Sequence, residues 1–113
     1  DILGNLRLML FESTIKGGNY LGSYVSDNAT EITGYDKEDL LDGDFFISRI
    51  HPQERKRFIT ESKLGLQAGT CEVAFRFKMQ NGTYEMTRVY FSLKDENHVF
   101  GTWQIISELI SPE

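Results

Sequence analysis

From Cys71 to Ser107 the chain alternates apolar and polar residues almost without a break, and this constrains the fold more than any other feature. A two-residue period sends successive side chains to opposite sides of a strand. In the stretch 71–80, Val73, Phe75, Phe77 and Met79 share one face, and Glu72, Ala74, Arg76 and Lys78 the other. Thr87, Val89, Phe91 and Leu93 repeat the pattern in 83–94, as do Val99, Gly101, Trp103 and Ile105 in 98–107. Asn81-Gly82 joins the first two runs and predicts a two-residue hairpin, because both residue types tolerate positive φ. Asp95-Glu96-Asn97 predicts the next turn. Three antiparallel strands thus present one apolar face that another layer must cover.

The covering layer is legible upstream. Ile50-His51-Pro52 marks a helix start: the residue before proline is pushed toward extended geometry, and proline suits the first helical position. The helix is expected from Pro52 to about Gln67, stopped by Gly69. Phe58, Ile59, Ser62 and Leu66 form its inward stripe. In this reading His51 is a boundary residue that caps the helix rather than a catalytic base, and Glu54 favours the positive end of the helix dipole. Earlier still, Leu6–Ile15 and Tyr20–Ser26 read as a hairpin across 16–19. Short helices follow: one capped by Asn28 with Glu31 as capping-box partner, one capped by Asp36 and stopped near Gly43, and a turn over 45–50.

Other features narrow the function by exclusion. The 113 residues suit one domain, and the net charge of −5 argues against a nucleic-acid partner. Arg55-Lys56-Arg57 reads as a solvated helix face. A single cysteine, Cys71, forms no internal disulfide and no multi-cysteine zinc site; a plain strand cysteine is expected, with no catalytic residue and no metal. No apolar run approaches the roughly 18 residues that span a bilayer, so no direct membrane insertion is expected. Asp1 to Gly4 lack the basic start of a signal peptide. A cytoplasmic piece of a longer multidomain protein is the expectation.

Read in order, several short motifs resemble the PAS sensory domain with its C-terminal PAC half, over about Leu6 to Ile106. They are Tyr24-Val25-Ser26-Asp27-Asn28, Thr33-Gly34-Tyr35 followed by Glu38-Asp39-Leu40-Leu41, Ile50-His51-Pro52, Phe75-Arg76-Phe77 with Asn81-Gly82, and Gly101-Thr102-Trp103-Gln104. Three departures stand beside them. Met86 takes the place of the hairpin's usual tryptophan, Ala74 that of an acidic residue, and Ile105-Ile106-Ser107 that of the Asp-Ile-Thr that couples related sensors to a following helix. The resemblance implies an α+β fold: a five-stranded antiparallel sheet, with short helices and one longer connecting helix on one face and a cleft beneath that helix.

The resemblance also implies a sensory module of a signal-transduction protein of histidine kinase or diguanylate cyclase type. It would sense a small ligand or pair chains, and pass the signal to a covalently attached output domain. The alternative is a ligand-free module for protein–protein interaction or dimerisation; a homodimer is expected in either case. Phe58, Ser62, Phe77, Thr87, Phe91 and Trp103 are the candidate cleft residues. They are expected to pack as core; a pocket among them would suit a small apolar or aromatic molecule held by Thr87 or Ser62. Flavin is not expected, because Cys71 precedes a strand and the inner face lacks amide side chains. Haem is not expected either, because the long helix carries no histidine. Tyr84, Tyr90, Phe100 and Ile106 are the candidate interface residues on the outer sheet face.

Overall fold

The computed structural model describes residues 6–107. The flanks 1–5 and 108–113 of the domain expected over 1–113, with the Asp1–Gly4 start, lie outside them. The strands are β1 (Leu8–Lys16), β2 (Asn19–Val25), β3 (Thr70–Lys78), β4 (Tyr84–Asp95) and β5 (His98–Ile105). They form one five-stranded sheet in the order β2-β1-β5-β4-β3, with every pairing antiparallel. Helices α1 (Asn28–Thr33), α2 (Lys37–Leu41) and α3 (Gly43–Arg49) follow β2. A 3-10 turn (Pro52–Glu54) then leads into α4 (Arg55–Ala68). The fold is therefore the α+β architecture expected.

Alternation placed the core correctly. Val73, Phe75, Phe77, Met79, Thr87, Val89, Phe91, Val99, Trp103 and Ile105 are all buried. β1 adds Met9 and Ser13 to the same face, Met9 opposite Trp103 and Ser13 opposite Val99. Phe46 on α3 closes onto this face, its ring 4.9 Å from that of Phe77 and 5.1 Å from that of Trp103.

Local geometry departs from expectation in four places. First, the β3–β4 connection is not a two-residue hairpin. Met79 N–H donates to Thr83 O and Gly82 N–H to Met79 O, and Gly82 alone takes positive φ, at +92°. This is a three-residue loop ending in a left-handed glycine. Second, Asn28 does not cap α1. Its amide donates to Leu8 O and its carbonyl oxygen accepts from Ser26 Oγ, and Ser26 Oγ accepts from Leu10 N–H. The side chain is thus spent tying the helix to β1. Third, Asp36 occupies the cap position of α2 but makes no side-chain cap bond. Fourth, Gly43 starts α3 rather than stopping α2, because Asp42 Oδ1 accepts from Asp44 N–H and Phe45 N–H.

The opening of α4 is sealed to the free edge of β3. Ile50 bridges Phe77, His51 N–H donates to Arg76 O, and Arg57 donates to Ala74 O. His51 Nδ1 accepts from Gln53 N–H at 3.2 Å, so the imidazole does cap the turn. Glu54 serves more than the helix dipole: Oε1 accepts from Arg76 N–H at 2.6 Å and Oε2 from the Arg76 guanidinium at 2.8 Å. Burial would raise the Glu54 carboxyl, but the two bonds from Arg76, with Arg57 nearby, outweigh it and lower it below its ordinary 4.5. A lowered carboxyl stabilises the fold fully above its unfolded value, and that contribution fades as pH falls through the folded value. Urea midpoints of Glu54→Gln are therefore expected to lie below those of the parent at neutral pH and to converge with them below about pH 4.

Candidate functional site

The helical layer does not fill the space over the sheet. A cleft of about 670 Å³ opens between β1 and β2 on one side and α2, α3 and α4 on the other. Its apolar wall includes Phe11, Leu40, Phe46, Phe58, Phe91 and Trp103, and its mouth carries Asp42, Asp44 and Lys63. This size and apolar character are those of small-molecule sites generally.

Local sequence explains how the cleft is held open. Thr33 Oγ1 donates to Ala29 O and accepts from Tyr35 N–H, while Gly34 ends α1 in left-handed geometry, at φ +87°. Tyr35 can then donate its hydroxyl to Lys78 O at 2.7 Å and set its ring against Phe45 and Phe77. That anchor fixes the short helices at one end. At the other, Gly22 lets β2 approach the Leu41 backbone, where an added Cβ would lie 2.6 Å from Leu41 O. A bulge that skips Ser23 sets Gly22 opposite Ser13.

Four of the six predicted cleft residues, Phe58, Ser62, Phe91 and Trp103, line the cleft. Phe77 and Thr87 do not border it. They lie on the right face but deeper in, both with no exposure. Phe77 is wedged against Tyr35, Phe46 and Trp103, and Thr87 Oγ1 donates to Phe75 O. Ser62, Phe91 and Trp103 are buried as well and Phe58 packs against the core, while the open space lies above β1 and β2.

Tyr20 and Ser13 are the residues the sequence reading missed. Tyr20 reaches across the cleft from β2 to donate its hydroxyl to Ser62 O on α4 at 2.6 Å, with its ring edge-on to Phe91. Burial, and to a lesser degree the Cys71 thiol, push its phenol well above the ordinary value, so it stays a donor. Tyr20→Phe is expected to lower stability by about 1 kcal/mol in urea denaturation, through the loss of this strut alone. Ser13 interrupts the inward row Met9, Phe11, Ile15; a hydroxyl in an apolar row was the available signal. The Trp103 indole N–H and Arg49 Nε are buried without a hydrogen-bond partner among the described residues. The Arg49 guanidinium sits 4.9 Å over the Phe45 ring.

Neither His51 nor Cys71 is placed as a catalytic group. His51 is spent on its cap, and its ring lies 5.0 Å from that of Tyr84. Burial, with Glu61 and Glu72 beside it, pushes the Cys71 thiol up, away from the reactive thiolate. No group of three or more His, Cys, Asp or Glu among the described residues is placed to hold a metal. No described helix is long and apolar enough to cross a membrane.

On the outer sheet face Tyr84, Tyr90 and Phe100 are exposed, as expected, and Ile106 is half-buried, its N–H donating to Met86 O. Leu10, Leu21 and Tyr24 extend the patch; their strands β1 and β2 were not assigned to it from sequence.

The family model described as the PAS fold matches residues 23–106. Among solved structures, the N-terminal domain of a diguanylate cyclase with a PAS/PAC sensor from Marinobacter aquaeolei is similar, with a TM-score of 0.78 and 15% identity. That match covers 90% of this chain and 97% of the other. A sensory box histidine kinase/response regulator from Burkholderia thailandensis matches with a TM-score of 0.70 and 19% identity, over 95% of this chain and 82% of the other. The PAS-B domain of Drosophila melanogaster Cycle, solved with bound glycerol, matches with a TM-score of 0.64 and 17% identity, over 84% of this chain and 98% of the other. No curated protein sequence matches. At these identities the likeness is one of fold.

Proposed function

Because the chain belongs to the PAS fold family, we propose that it is the sensory module of a multidomain signalling protein, taking a small apolar or aromatic molecule into its cleft and passing occupancy to an attached output domain in the cytoplasm. The observation that carries the reading is the cleft itself: about 670 Å³ of space between β1, β2 and the helices. A ligand there would touch both the sheet and α4. It can therefore favour one arrangement of helix on sheet over another, which is the differential contact that a population shift requires. Histidine kinase and diguanylate cyclase outputs are the candidates, on the strength of the proteins that house the similar folds.

Mass spectrometry of small molecules extracted from the purified protein, with a melting-temperature screen of neutral aromatic compounds, tests this. A stoichiometric extracted compound, or a stabilisation that saturates, supports it. A melting temperature unmoved across the screen, with nothing extracted, removes the ligand reading.

The outer face supports a second reading, in which the domain pairs chains. Leu10, Leu21, Tyr24, Tyr90 and Phe100 are each between 41% and 51% exposed on one side of the sheet, an apolar area of the kind that marks interfaces. Sedimentation across a range of concentrations is expected to show a dimer that Phe100→Glu dissociates. A monomer at every concentration contradicts this reading.

A further inference from the structure

We infer that the cleft selects an uncharged ligand with an apolar body and one hydroxyl or carbonyl, and that Ser13 on β1 and Ser62 on α4 hold this polar group. The inference rests on the ligand-sensing reading of the cleft. Ser13 and Ser62 are 8% and 6% exposed, and both line the cleft. Buried hydroxyls normally find a partner within the protein. Thr33 and Thr87, the other buried hydroxyl residues, each donate to a backbone carbonyl. Neither serine hydroxyl bonds any protein group among the described residues. Neither belongs with the sealed, unpartnered atoms, which are Arg49 Nε and Trp103 Nε1. Both hydroxyls therefore remain open to whatever enters.

The Tyr20 hydroxyl is already committed to Ser62 O, and the Trp103 indole N–H is sealed off. Among the described residues, the two serines are the buried side chains of the lining whose hydroxyls are uncommitted. No ionised side chain lies within the apolar part: Asp42, Asp44 and Lys63 are exposed at the mouth, and Glu12 pairs with Lys94 on the outer face. An ionic head buried there would lose its water and gain no counter-charge, a large penalty, whereas a hydroxyl or carbonyl exchanges water for serine at little cost. A group held by both serines would also tie the sheet to α4.

The chain carries a single tryptophan, Trp103, in the cleft wall, and its fluorescence reports occupancy. The test titrates 4-phenylbutanol, 4-phenylbutyrate and 4-phenylbutylamine, one skeleton with three heads, and ethylbenzene, which has no head. The alcohol is expected to bind at least about tenfold more tightly than either ion. Ser13→Ala and Ser62→Ala are each expected to weaken the alcohol by about three- to tenfold and to leave ethylbenzene unchanged. Equal or tighter binding of either ion overturns the inference while leaving the sensing reading intact, as would serine variants that weaken ethylbenzene as much as the alcohol. Failure of all four probes to bind overturns the sensing reading, and this inference with it.

Discussion

Gly101→Ala is expected to cost about 3 kcal/mol or more of folding stability, a large share of the roughly 5–15 kcal/mol that holds a domain of this size. Gly101 lies on the inner face of β5, opposite Phe11 on β1 and Phe91 on β4. A Cβ built there runs into the Tyr90 carbonyl oxygen, far inside contact distance, and comes within 2.8 Å of Phe91 Cα. Those obstacles are backbone atoms of a strand paired on both sides, so no rotamer change removes them and β4 and β5 must part. The cost therefore belongs at or above the top of the usual overpacking range. Chemical denaturation should show a large fall in midpoint, or the variant should be recovered unfolded. Thr102→Ala, one residue along on the outer face, is the control and should lie within about 0.5 kcal/mol of the parent. A Gly101→Ala midpoint close to the control's would contradict the close strand approach described here.

Gly65→Val is expected to be the second severe substitution, with Gly65→Ala milder but still destabilising. Glycine inside a helix costs about 1 kcal/mol relative to alanine, and α4 carries that cost at the point where it touches the sheet. An added Cβ at residue 65 would lie 2.5 Å from Cys71 Cβ and 2.9 Å from Phe91 Cζ. The Phe91 ring can turn, but Cys71 Cβ is fixed to the β3 backbone, so α4 must lift. Alanine recovers its helix propensity and loses more to the clash, for a net loss of about 1–2 kcal/mol; valine should lose about 3 kcal/mol or more. A double-mutant cycle separates the terms. Removing the obstructing Cβ with Cys71→Gly should make Gly65→Ala neutral or stabilising, and no coupling between the two sites would mean that the helix does not rest on Cys71.

The parts of the fold legible in the sequence were those in which one period ran long enough to dominate. The rows Val73 to Met79, Thr87 to Leu93 and Val99 to Ile105 each repeat with no competing signal, and each marks the buried face. Pro52 and Gly69 bracket the long helix for simple steric reasons, and the structure obeys both. Cap identity was less legible because Asn28 has two uses, and a bond to Leu8 O, distant in sequence, won. The loop after β3 follows the same lesson: Asn81-Gly82 permits two turn types, and Gln80 N–H donating to Thr33 O favours the longer one.

Of the cleft, only the walls on α4, β4 and β5 could be read from local pattern. The rest of the lining comes from β1, β2, α2 and α3, whose placement depends on contacts between segments far apart in the chain: Tyr20 with Ser62, Gly22 with Leu41, Tyr35 with Lys78. Alternation tells which side a residue faces but not how deep it lies. Phe77 and Thr87 share the inner face with Phe91 and Trp103 but lie beneath the cleft rather than along it.

Titration of the isotopically labelled protein with 4-phenylbutanol, followed by amide and indole NMR, tests most directly whether this space is a binding site. Saturable shifts at Ser13, Tyr20, Ser62 and Phe91 and at the Trp103 indole, with Leu10, Tyr90 and Phe100 on the outer face unmoved, are the predicted result. Shifts confined to the outer face, or none that saturate, would show that nothing enters between the sheet and its helices.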